Sequence, residues 1–301
     1  MDIFGQNTTG MMERMIMDRQ SPHQLGTWLD IAEGGGDAGR LIARYLRDHY
    51  RQAAFMSAGE LAAAAGVSQP SVSRFAAALG FSGYAEWNRA LQSVIRLELS
   101  AADRLWYAAH ADDEQVNEDR VIVDENRNLR ALQGSLSSEE FSLLALRMAQ
   151  ARDIVIVSAR ASATLAPYAH YFLGKVRPGV SMVTHGDPRW DRLAAEDPRD
   201  TLIFALVFPR YPRTLVRLLS DLRECGFPLC GLTDAPTSPL CALSSTVLVA
   251  PVASASLFDS YAAPVAGLNL LIRRIAQLRG QDARDRLERL EQLDQEHDVY
   301  I

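Results

Sequence analysis

Residues Met56–Gly80 read MSAGELAAAAGVSQPSVSRFAAALG, and their order of caps, small residues and glycine predicts two short helices joined by a tight turn. Ser57 and Glu60 stand three apart. At that spacing a serine oxygen and a glutamate carboxylate satisfy orphan backbone amides at a helix start. Leu61, Ala62 and Ala65 then form an apolar face, with Ala62 small where a second helix must come close. Gly66 falls where the turn needs a residue tolerant of positive φ. Val67 fills the corner and Ser68 caps the next helix. Pro70 sits in that helix's first turn, where a missing N–H costs little. Val72, Phe75 and Leu79 recur at inward-facing positions, which leaves Gln69, Ser71, Ser73, Arg74 and Ala77 on the open side.

An open polar side on the second helix of such a hairpin is the surface that enters the major groove in a helix-turn-helix. Glutamine can pair with adenine through two hydrogen bonds, arginine with guanine or a phosphate, and serine with either. Ser57 and Ser68 also put helix N-termini where phosphates can be met. The candidate DNA-binding residues are therefore Ser57, Ser68, Gln69, Ser71, Ser73 and Arg74. A plain helical hairpin with a solvated outer face is the alternative. The combination of two caps, the small residue, the glycine and the core spacing favours DNA.

Working outward, the surrounding stretch is helical. Leu41, Ile42, Tyr45 and Leu46 recur at helical spacing, further helices are expected over 57–65, 68–79 and about 83–97, and no segment there alternates as a strand would. Between Asp37 and Gln92 there are six arginines against four acids, a local charge of +2 in a chain of net charge −6, which leaves −8 elsewhere. A mildly basic module on an acidic body is compatible with nucleic-acid binding. Of 31 basic residues only Lys175 is a lysine, which reads as coding bias.

At Asp153 the pattern changes. The β-branched run Ile154–Val157 reads as a strand buried on both faces, and similar runs occur at 180–183, 201–207, 228–232 and 246–249. Helical patterns at 162–174, 188–195, 211–224, 238–243 and 260–278 alternate with them. This rhythm predicts a doubly wound parallel sheet of five strands. The expected division is an N-terminal arm at 1–36 with a short helix around Pro22–Ile31, a helix-turn-helix domain at 37–97, a helical linker at 98–152, the α/β domain at 153–279 and a helical tail at 280–301. The linker is expected to pack on the α/β domain, with 117–133 and 138–150 as its clearest helices. In the tail, Leu287, Leu290 and Leu293 line one face of a charged helix, a stripe suited to packing on the body or on a second subunit.

With 301 residues, 48% of them hydrophobic, the chain can bury one or two cores, and its composition excludes disorder throughout. No uncharged apolar run reaches the 18–20 or so residues that cross a bilayer, and no signal peptide is legible, so no membrane partner and a cytoplasmic location are expected. Cys225, Cys230 and Cys241 have neither CxxC nor metal spacing and read as buried thiols in a reducing compartment. No metal site and no cofactor are expected.

The run Leu61-Ala-x-x-x-Gly-Val-Ser68, then Val72-Ser-Arg-Phe75, then Leu79-Gly-Phe-Ser-Gly-Tyr84 resembles the DNA-binding domain of RpiR-type bacterial transcription regulators. In that family a SIS (sugar isomerase) domain follows, and the α/β half resembles one in length, order and strand rhythm, so the resemblance spans roughly residues 20–280. It implies a homodimer or tetramer that binds a double-stranded DNA operator, with a SIS domain that senses a phosphorylated sugar or related metabolite. SIS domains cradle phosphate with a Gly-x-Gly-x-Ser turn and a Ser-x-Ser-Gly-x-Thr turn. Here the first reads Ser158-Ala-Arg160-Ala-Ser162 and the second Pro209-Arg-Tyr211-Pro212-Arg213-Thr214, so Ser162 and Thr214 remain and the glycines do not. Side chains in place of glycine bring fewer backbone amides to a phosphate. Arg160, Arg210 and Arg213 bring guanidinium groups instead, near the strand ends where open α/β sheets bind ligands. Arg160, Ser162, Arg210, Arg213 and Thr214 are accordingly the candidate residues for a small anionic effector, such as a sugar phosphate or sugar acid.

Two other readings stand beside the sensor. One is an isomerase, which needs a base beside a carbonyl. His170, His185, Glu196 and Glu224 are the candidates, of which only His185 lies near the ligand edge, and none has a spacing tied to a role. The other is a regulator whose SIS half is blind to ligand and only dimerises. With no P-loop, zinc signature or Gly-x-Ser-x-Gly turn, and with a DNA-binding module attached, a non-enzymatic regulator is the reading adopted.

Overall fold

The computed structural model describes residues 22–34, 36–95, 114–254 and 256–300, with the single residues 102 and 105. Most of the expected N-terminal arm and the stretch between 96 and 113, apart from those two residues, lie outside the described residues. The chain divides after Asn117 into two compact units.

The first unit is helical: α1 (Pro22–Glu33), α2 (Asp37–Ala53), α3 (Ala58–Ala65), α4 (Gln69–Ala78) and α5 (Tyr84–Ile95). Its core gathers Trp28, Ile42, Leu46, Leu61, Val72, Phe75 and Leu91 around the fully buried Trp87. The Trp87 ring meets Phe75 edge-on at 5.3 Å and lies 5.5 Å from Tyr84 and 6.4 Å from Trp28. Polar groups of α5 finish the end of α2. Tyr84 Oη donates to the Met56 carbonyl at 2.7 Å, Asn88 Nδ2 to Ala53 at 3.1 Å and Gln92 Nε2 to Ala54 at 2.7 Å. Three carbonyls that the turn leaves without helical partners are thereby satisfied, and the start of α3 is pinned.

The second unit is a parallel sheet with strand order β2-β1-β3-β4-β5, formed by β1 (Asp153–Ser158), β2 (Val180–Thr184), β3 (Thr201–Val207), β4 (Leu229–Thr233) and β5 (Val247–Val249). Alternation along the inner strands feeds two layers. Ile154, Ile156, Leu202, Phe204 and Leu206 face one core, shared with α6 (Glu114–Leu136), α7 (Glu139–Gln150), α8 (Leu165–Val176) and α11 (Ala262–Arg279). Val155, Val157, Ile203, Ala205 and Val207 face the other, shared with α9 (Arg213–Glu224) and α10 (Pro239–Leu243). A sheet covered on both faces gives the continuous apolar runs seen in the sequence. β4 carries Gly231 because a Cβ there would stand 2.3 Å from the Ala205 carbonyl oxygen.

α7 buries Leu144, Ala145 and Met148 in the first of these cores. Its C-terminus is closed by Arg177, which is 1% exposed and donates to the carbonyls of Met148, Ala151, Arg152 and Pro178. Burial, with Arg279 nearby, pushes this guanidinium down to about 10. α12 (Gln281–Glu296) is held to α8 by Arg286, which donates to the Gly174 carbonyl at 2.8 Å. Leu287 and Leu293 of its apolar stripe remain exposed.

Three expectations need correction. The segment expected as a helix over 188–195 forms only a 3-10 turn, Trp190–Ala195. The helix expected from 162 begins as a 3-10 turn, Arg160–Thr164, before α8. Cys225 is exposed rather than buried, because it follows the last turn of α9 beside Gly226; Cys230, in β4, is buried and Cys241 partly so. No group of three or more metal-ligating side chains occurs among the described residues, and no described helix is long and apolar enough to cross a membrane.

Candidate functional site

Two surfaces collect the residues singled out above, one in each unit. On the first, the capping box is present on both sides: Ser57 Oγ accepts from the Glu60 amide at 3.2 Å, and the Ser57 amide donates to the Glu60 carboxylate. Hydrogen bonding from the Ser57 amide, and then from the Ser57 hydroxyl, holds the Glu60 carboxyl below its ordinary value. Gly66 closes α3 at φ 69° and ψ 34°, and the Val67 amide reaches back to the Ala62 carbonyl at 2.9 Å. This left-handed closure turns the chain sharply into α4.

Along α4, Val72, Phe75 and Ala76 are buried while Gln69, Ser73, Arg74 and Ala77 are exposed. Two serines depart from their expected roles. Ser68 has the extended backbone of a cap, but its side chain makes no capping bond. Its Oγ lies instead 2.8 Å from Ser71 Oγ. Ser71 is not on the open face: at 8% exposure it is buried, and it accepts from Arg74 Nη2 at 2.9 Å. The physical reason is the helix period. Position 71 lies one step before Val72 and four before Phe75, at the margin of the inward stripe. Gln69 and Ser73 carry no side-chain bond among the described residues, so their donors and acceptors face solvent.

The second surface is the carboxyl edge of the sheet. The chain runs from β1 out to β2, then back across to β3 on the other side of β1. Loops leaving β1 and β3 in opposite directions open a crevice, the usual ligand position in doubly wound sheets. The β1 loop carries Arg160 and Ser162; the β3 loop carries Arg210 and leads into Arg213 and Thr214 at the start of α9. Ser162 is buried and joins the two loops by accepting from the Phe208 amide at 3.3 Å. Arg160, Arg210, Arg213 and Thr214 are exposed. Arg160 holds φ 58°, a left-handed conformation that glycine adopts freely and arginine only at a cost.

Among the described residues none of Arg160, Arg210 and Arg213 makes an ion pair, whereas arginines elsewhere on the sheet unit do: Arg152 with Asp200, Arg189 with Glu196, Arg199 with Asp197. Cations left without carboxylates along one crevice can receive an anion.

Sequence reasoning missed the acceptor-rich neighbours of these arginines. Tyr211 Oη donates to Asp234 Oδ1 at 2.8 Å, and Thr233 Oγ1 donates to the Val207 carbonyl at 2.6 Å and lies 2.6 Å from Ser238 Oγ. Burial, and then the Asp234 charge, raises the Tyr211 hydroxyl well above its ordinary value. Tyr261, packed on Phe208 at 5.3 Å, is pushed up to about 12 by burial. Both phenols therefore stay protonated, and Tyr211 donates to Asp234. Tyr211 follows the end of β3 and Asp234 the end of β4, a signal that a strand-end rule would have found. His185, after β2, is exposed, stacks edge-on against Trp190 at 5.3 Å, and its amide donates to the Ser158 carbonyl at 3.3 Å. Of the other candidate bases, Glu196 is paired with Arg189, His170 lies within α8, and Glu224 ends α9 at the opposite edge of the sheet.

Comparison with known proteins matches residues 35–96 to the helix-turn-helix domain of the rpiR family and residues 147–274 to the SIS domain. This is the RpiR-type pair of domains. An RpiR-type chain couples a DNA-binding domain of transcriptional regulators to a SIS domain. The HTH-type transcriptional regulator HexR of Pseudomonas aeruginosa is 28% identical over 216 residues, 71% of this chain and 74% of that protein. The solved structures that share the fold include two with a TM-score above 0.5. The sugar isomerase domain of an RpiR transcription factor from Sphaerobacter thermophilus has a TM-score of 0.55 at 23% identity, covering 58% of this chain and 98% of that one. The Vibrio vulnificus NanR protein complexed with ManNAc-6P has a TM-score of 0.52 at 18% identity, covering 90% of this chain and 98% of that one.

Proposed function

We propose that this RpiR-type protein is a sequence-specific, non-enzymatic transcriptional regulator that reads operator DNA with α4 and is controlled by a small anion bound in the crevice between β1 and β3. The observation that carries the DNA half is the exposed set Gln69, Ser73 and Arg74 on a helix whose start and inner face are fixed by caps and core. Gln69 and Arg74 supply the two-pronged donors and acceptors that base edges require. Ser57 and Ser68 stand at helix starts, where phosphate contacts set register.

The anion half rests on the three unpaired arginines of the crevice. Arg160, Arg210 and Arg213 supply charge and paired N–H groups, Thr214 adds a hydroxyl at the first turn of α9, and Ser162 holds the two loops together. Sugar phosphates and sugar acids have the matching chemistry, and the Vibrio vulnificus NanR protein was solved complexed with ManNAc-6P. The protein is proposed to act in the cytoplasm as a homodimer or tetramer, so that paired modules meet paired half-sites.

Selection of bound duplexes from random DNA by the purified chain, repeated with sugar phosphates and sugar acids, tests both halves. One enriched sequence family, with enrichment altered by an anion that also raises the thermal midpoint, is the expected result. Arg210→Ala should abolish the anion's effect and leave the enriched sequence unchanged. No enriched sequence, or no response to any anion, would count against the corresponding half.

A further inference from the structure

A hydroxyl that the DNA-reading surface does not expose sits at its base. Ser71 is 8% exposed, accepts from Arg74 Nη2 at 2.9 Å and lies 2.8 Å from Ser68 Oγ. A serine hydroxyl has one proton to give and two lone pairs. Arg74 takes one lone pair of the Ser71 oxygen, and Ser71 can give its proton to Ser68, its other hydroxyl partner among the described residues. In that arrangement Ser68 Oγ accepts and keeps its own proton for a partner outside the protein.

We infer that Ser71 is a positioning residue: it orients the Arg74 guanidinium for base reading and makes the exposed Ser68 hydroxyl an outward donor aimed at a phosphate oxygen. This rests on the reading of α4 as the DNA-contacting helix. Arginine holds at least four of its five N–H groups beyond the bond to Ser71, enough for a two-pronged contact with guanine. Fixing the side chain beforehand removes rotamer freedom that binding would otherwise have to remove. The arrangement also separates two tasks within two turns of helix: Arg74 discriminates among bases, and Ser68 anchors the backbone whatever the sequence.

The test uses the full chain, the duplex recovered by selection and a scrambled duplex of equal length, each titrated over a salt series. Ser71→Ala should weaken binding to the selected duplex about fivefold. Binding to the scrambled duplex should fall by a smaller factor, no larger than the one Ser68→Ala gives, and the salt slope should not change, since no cation has been removed. Ser71→Thr, which keeps the hydroxyl, should retain discrimination. Ser71→Cys fills the same space with a poor acceptor; it should lose discrimination, and it carries the test if the alanine variant does not fold. In an Arg74→Ala background Ser71→Ala should have no further effect on discrimination, an outcome that a merely structural serine would not give. Ser68→Ala should weaken both duplexes by the same factor. Full discrimination by folded Ser71→Ala or Ser71→Cys would overturn the inference while leaving the DNA reading intact. If the wild-type chain enriches no sequence, it is the DNA reading that fails, and the role of Ser71 with it.

Discussion

The two candidate surfaces handle polar groups in opposite ways. On α4 the polar side chains come from one continuous helix, and all but Ser71 are left open to solvent. At the sheet edge the polar side chains come from the ends of β1, β3 and β4, and most of the neutral ones are bonded within the protein: Ser162 to the Phe208 amide, Thr233 to the Val207 carbonyl and Ser238, Tyr211 to Asp234. The arginines and Thr214 are left over. A groove reader must present donors and acceptors to a partner it meets from outside, so a rigid helix with free side chains suits it. A small-ligand crevice needs walls that hold still, so its hydroxyls lock the loops and its charges provide the attraction.

If the two regions are separate cores, damage to one should spare the other. Trp87→Ala removes the centre of the helical core and should cost about 3–5 kcal/mol. Hydrogen exchange should then show lost protection over residues 36–95 with β1 and β3 still protected, and loss in both units together would break the comparison. Next in size, Arg74→Ala should weaken binding to a selected duplex by about 1–3 kcal/mol, measured by fluorescence anisotropy, without changing any anion-induced thermal shift. Arg160→Gly sharpens the contrast further. It relieves a left-handed arginine and should raise stability by about 1 kcal/mol in thermal denaturation while reducing the stabilisation given by an anion. The smallest effect is at the capping box. The Glu60 carboxyl has a lower value folded than unfolded, so its contribution is fully present above the ordinary carboxylate range and is lost as pH falls through the folded value. Because Glu60 is exposed, that contribution should stay under about 1 kcal/mol. Thermal midpoints of the wild type and Glu60→Gln should differ near neutrality and converge in acid.

The helix-turn-helix was legible because its signals are local. Ser57, Glu60, Gly66 and Pro70 each act within four residues, and the chain folds there as they dictate. The sheet was legible from its double-sided apolar runs. What escaped was long-range. Nothing near Arg177 in sequence announces that it closes the end of α7 from 29 residues away, and most exposed-residue rules place an arginine on the surface. Tyr211 meets Asp234 only because β3 and β4 are neighbours. Ser71 was placed outward by a helical wheel whose margin is decided by how closely α4 seats on its neighbours, a packing detail no periodicity contains.

Selection from random DNA, run side by side with the wild type, Arg74→Ala and Arg210→Ala, tests the central claim most directly. A single enriched motif for the wild type and for Arg210→Ala, with Arg74→Ala retaining only salt-sensitive, sequence-indifferent binding, is the predicted result. An identical motif from the Arg74→Ala and wild-type proteins, or none from either, would contradict it.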